Sequence, residues 1–243
     1  TIAGNITVNA AGAGSGDAVY IEGTLNNTST GMPGTISLIS SNSSVTVDNV
    51  LAASTVIDNS TTNGMGGTVL AIAGGTSGSV RIDGTIDNSS TQIGGTVALI
   101  SANNDVTVAA ASSTERGNID NSTTGGNGGN IAITAGDDAT VDGVIDNRST
   151  VIAGNINIIG VDGSATVSNN GSNLTFAINN SSSGGPGGNI VMVANGAGEN
   201  VVVGGTILNT STGSAGNISL TSTNNAVTVS DGGTDTANII NTS

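Results

Sequence analysis

The residues with the most chemical capacity in this chain are asparagine and aspartate, and they recur at fixed places. Asn27, Asn59, Asn88, Asn121, Asn147, Asn180, Asn209 and Asn241 each stand two residues after an aliphatic residue: Leu25, Ile57, Ile86, Ile119, Ile145, Ile178, Ile207 and Ile239. Each of these asparagines opens an Asn-x-Ser/Thr triplet, which could accept an N-linked glycan. Between the two columns lie Asn26, Asp58, Asp87, Asp120, Asp146, Asn179, Leu208 and Ile240. Carboxylate oxygens suit a hard cation, so Asp58, Asp87, Asp120 and Asp146 form a candidate row for weak Ca²⁺ binding, the one cofactor the sequence suggests. The competing reading is an outward-facing, solvated acidic stripe that resists lateral sheet pairing.

Alternation along an extended chain separates the two fates of the asparagine column. If the Ile points inward, the residue two places on does so too, and a buried amide carries no sugar. The expectation is therefore an interior ladder of side-chain amides hydrogen-bonded from repeat to repeat. Asn42, Asn170 and Asn173, in turns, are the better glycan acceptors.

Other chemistry is thinly supplied. Arg81, Arg116 and Arg148 are the only basic side chains, and Lys, His and Cys are absent. Glycoside hydrolysis needs converging carboxylates and aromatic sugar platforms. The chain offers one adjacent acidic pair, Asp137 with Asp138, and the aromatics Tyr20 and Phe176 alone. The runs Gly125-Gly126-Asn127-Gly128-Gly129 and Gly184-Gly185-Pro186-Gly187-Gly188 precede no helix and carry no Lys, so they are not phosphate loops. They are expected as corners where glycine takes positive φ. A net charge of −14 excludes binding to nucleic-acid phosphates and disfavours anionic membranes. No run of 18 apolar residues is present to insert into a bilayer.

The elements that position these columns follow from a repeat. A Gly-[Asn/Thr]-[Ile/Val] start recurs at Gly4, Gly34, Gly67, Gly95, Gly129, Gly154, Gly188 and Gly216, at intervals of 30, 33, 28, 34, 25, 34 and 28 residues. Each repeat reads as three short strands. The first is typified by residues 129–135, the second by Val45-Thr46-Val47 and Val106-Thr107-Val108, and the third by residues 86–91. Longer repeats add a loop before the third strand, as from Ala109 to Asn118 with Glu115 and Arg116. Strands this short bury a face only by stacking on copies of themselves. The predicted fold is all-β: a parallel β-helix (β-solenoid) of about eight coils, short and long alternating, running as one array over residues 1–243. A broken outward column, Tyr20, Thr46, Arg81, Thr107, Val202 and Thr228, argues against a flat threonine array for ice.

The cadence of residues 125–147, Gly-Gly-Asn-Gly-Gly-Asn-Ile-Ala-Ile-Thr-Ala-Gly-Asp-Asp-Ala-Thr-Val-Asp-Gly-Val-Ile-Asp-Asn, resembles the repeats of filamentous-haemagglutinin-like adhesins. That resemblance implies a right-handed β-helix exported to the cell surface. The resulting expectation is a structural or adhesive segment of an extracellular fibre, not an enzyme. Its partners would be further copies stacked end to end and cell-surface glycans. The alternative is a β-helix that binds or degrades glycans.

Overall fold

A computed structural model describes residues 2–11, 19–49, 55–110, 117–169, 176–230 and 237–243. It is a three-sided solenoid with eight strands in each of three parallel sheets. The first sheet stacks Ile6–Ala10, Thr35–Ser40, Thr68–Ala73, Thr96–Ser101, Asn130–Ala135, Asn155–Gly160, Ile190–Ala194 and Ile218–Ser222. The second begins at Val19–Glu22 and ends at Val227–Ser230. The third runs from Leu25–Asn26 to Ile239–Ile240 in strands of only two to four residues.

The period-2 pattern explains this arrangement. Ile36, Leu38, Val97, Leu99, Ile131 and Ile133 of the first sheet are wholly or almost wholly buried, as are Val45, Val47, Val106 and Val108 of the second and Ile57, Ile86, Ile119 and Ile145 of the third. The intervening residues point away from this core. β-Branched side chains fill so narrow an interior without aromatic bulk. Stacking pairs Ile57, Ile86, Ile119, Ile145 and Ile178 in direct register.

The longer coils carry their extra residues before the third strand, as expected, and in the short first coil residues 12–18 fall between the first and second strands. Those segments, with Glu115, Arg116, Asn170 and Asn173, lie outside the described residues. One expectation needs correction: the glycine corners have a different cause. Positive φ is found at Gly23, Gly75, Gly84, Gly198 and Gly205, not in the Gly125–Gly129 or Gly184–Gly188 runs. Those glycines are required because a neighbouring coil passes too close for a Cβ: one added at Gly126 would collide with the carbonyl of Gln92 in the coil before it.

Candidate functional site

Asparagine dominates the interior polar chemistry. Asn59, Asn88, Asn121, Asn147, Asn180 and Asn209 are completely buried. Asn27 Nδ2 donates to Asn59 Oδ1 at 2.9 Å, and the relay continues through Asn88, Asn121, Asn147 and Asn180 at 2.8–2.9 Å. It resumes from Asn209 to Asn241 at 3.0 Å. Between Asn180 and Asn209 the relay is broken. Asn180 Nδ2 keeps the bonds to the carbonyls of Gly154 and Asn189 that its column mates also make, but not the relay bond, and the buried Asn209 Oδ1 is without a partner.

The second amide hydrogen closes each coil. Asn88, Asn121, Asn147 and Asn209 donate to the carbonyls of Gly67, Gly95, Gly129 and Gly188, the glycines that open their own coils. A Cβ on Gly95, at the start of the next coil, would lie 2.5 Å from Asn88 Nδ2, which explains why glycine and asparagine recur together. With both hydrogens engaged and no exposure, the interior members have no room for a sugar. Asn42 is exposed.

The acidic row is half-buried, not an open stripe. Asp58, Asp87 and Asp120 each accept the backbone N–H two residues on, from Ser60, Ser89 and Ser122, at 2.9–3.1 Å. Asp146 does the same with Arg148 at 3.3 Å, and Asn26 and Asn179 with Thr28 and Ser181 at 3.2 Å. These are Asx turns, so the column exists to fold the backbone out of the third strand. Burial pushes the Asp146 carboxyl up to about 6; Asp120 adds to the shift and Arg148 opposes it. Asp87 is also raised, by burial first and then by Asp120 and Asp58, against the hydrogen bonds from Ser89. Strand spacing of about 4.8 Å lets one ion touch two neighbouring coils but puts a third carboxylate about 10 Å away.

Among the described residues, three carboxylates converge within 4.8 Å only at Asp105, Asp137 and Asp138, on the corner after the first sheet. Two of them satisfy backbone N–H groups of the next coil: Asp105 accepts from Asp138 N–H at 3.2 Å, and Asp138 from Ser164 N–H at 2.7 Å. The two described arginines are committed to local ion pairs, Arg81 with Asp83 at 2.7 Å and Arg148 with Asp146 at 3.0 Å. Tyr20 donates its hydroxyl to Asp48 at 2.8 Å.

A second amide ladder, on the outside, was not anticipated. Asn155 Nδ2 donates to Asn130 Oδ1, Asn189 to Asn155 and Asn217 to Asn189, at 3.1–3.3 Å. Its donors point toward lower-numbered coils, opposite to the inner ladder. The signal was the Asn in the Gly-Asn-[Ile/Val] repeat start. No family model matches the chain, and no curated protein and no solved structure matches it either.

Proposed function

We propose that this chain is a structural or adhesive segment of an extracellular fibre. The observation that supports it best is that one cross-section repeats through eight levels, the same three sheets and aliphatic columns recurring at each. Such a body lengthens by adding levels, through further coils of one chain or through end-to-end stacking of copies. The extracellular setting and cell-surface glycan partners rest on the resemblance of residues 125–147 to secreted adhesin repeats. Negative-stain microscopy of native material tests the reading. Rods one or two solenoids wide are expected; compact particles of fixed size would overturn it.

A further inference from the structure

The net charge of −14 is not spread evenly over the rod. None of the eight strands of the first sheet contains Asp, Glu or Arg. The second sheet carries Glu22, Asp48, Arg81 and Asp83, and the third carries Asp58, Asp87, Asp120 and Asp146. On the outward side of the first sheet, one column reads Asn9, Ile39, Ile72, Ile100, Thr134, Ile159, Val193 and Thr221 in register. Its neighbour includes Leu70, Ala98, Ala132 and Val191. These residues stand on the side opposite the buried Val97 and Leu99, on a face no other element of the described chain covers.

The apolar surface continues round the corner that leads into this sheet. Ile2, Met32, Met65, Ile93 and Ile152, each two residues before a coil-opening glycine, are 80%, 48%, 40%, 44% and 43% exposed. The opposite corner is acidic, with Asp105, Asp137, Asp138, Asp162 and Glu199 on the turns that follow the strands.

We infer that the first sheet is a lateral dimer interface, whose occupant is the same face of a second copy of this chain. Charge selects that partner. Two molecules this acidic repel each other on approach through the second or third sheet, and the first is the side on which they meet without facing carboxylates. Area is sufficient. Strands of about 20 Å stacked over about 34 Å give about 700 Å² per copy and 1,400 Å² in total, within the range of specific interfaces. Flat sheets packed about 10 Å apart can interdigitate β-branched columns.

Charge also selects the symmetry. A two-fold axis running along the rod sets each molecule's acidic corner beside the methionine and isoleucine corner of its partner. A two-fold axis along the strands would bring the two acidic corners to the same edge. The rods therefore run parallel, coil opposite coil. This pairing goes beyond the fibre reading and does not depend on it, because lateral association stops at two whereas end stacking continues.

The test uses residues 1–243 in sedimentation velocity at about 100 μM, above the micromolar end of the Kd range for interfaces of this size. Twice the chain mass is expected. Ile100→Asp should reduce it to the single-chain mass, whereas Thr107→Asp, in the same coil with the same added charge, should leave it unchanged. Circular dichroism checks that both variants fold. If Ile100→Asp does not, Ser37→Asp carries the same test, at an outward position that is already polar. A spin label on Ser219→Cys should give a label-to-label distance under about 25 Å in parallel rods, set by the ~10 Å sheet separation. Monomeric parent protein, an Ile100→Asp dimer, or a label distance near the rod length would overturn the proposal. Mass that keeps growing with concentration in the parent and Ile100→Asp alike would assign association to the ends and overturn the lateral interface.

Discussion

Replacing Asp146 by Asn should stabilise this protein at neutral pH and flatten its response to acid. The folded chain holds the Asp146 proton up to about pH 6, against an ordinary 3.8. Between those values the native state binds more protons than the unfolded one, so stability falls as pH rises through the window. Above about pH 6 the penalty is complete, and below about 4 it is absent. A shift of about 2 units corresponds to about 3 kcal/mol. The 3.0 Å pair with Arg148, whose side chain is 60% exposed, opposes the shift and is already contained in that figure. Asparagine preserves the turn, as Asn26 and Asn179 already do in the same column. The gain at about pH 7.5 is therefore about 3 kcal/mol. Urea unfolding followed by circular dichroism at about pH 7.5 and pH 4 is the assay. The parent should be more stable at the lower pH, and the difference should shrink in Asp146→Asn, with a remnant from Asp87. A variant no more stable than the parent at pH 7.5 would refute the reasoning.

Two further substitutions probe the core and the ladder. Ile119→Asp puts an unpaired charge in a fully buried column and should cost about 4 kcal/mol or more, whereas Thr107→Asp, on the outward side of the second sheet, should cost less than about 1. Equal losses of thermal stability would mean the strand faces are assigned wrongly. Asn88→Ala removes the partner of Asn59 Nδ2, of Asn121 Oδ1 and of the Gly67 carbonyl, and should cost about 1–3 kcal/mol. Intact-mass spectrometry of native protein should find no glycan on Asn59, Asn88 or Asn121; a sugar there would show that the column opens outward.

The columns were legible because a solenoid repeats its cross-section. A residue type that returns at every coil must meet the same environment each time, so Ile119 and Asn121 announced both the register and the inward face. What escaped were contacts between coils that no single repeat spells out. Gly95 is glycine because a neighbouring carbonyl and Asn88 occupy the space of its Cβ, a constraint that looks like a turn signal in sequence. In the Asp column, Asp58, Asp87 and Asp120 accept the backbone N–H two residues on, a local turn contact that residue type alone does not disclose. Net charge is equally silent on placement: a sum of −14 carries no information about which face is left neutral.

The bonds that join one level to the next lie along the rod, while the covalent chain winds around it. A pull on the chain ends therefore loads the backbone ladders of a terminal coil and its asparagine links, and leaves the levels beneath intact. A coil that peels away frees 25 to 34 residues. That chain extends to about 80–120 Å, against a rise of about 4.8 Å while coiled. The molecule is thus a stiff rod that can lengthen about twentyfold for each level released, dissipating tension one turn at a time. The break in the ladder between Asn180 and Asn209 marks the seam where the next turn gives way most readily.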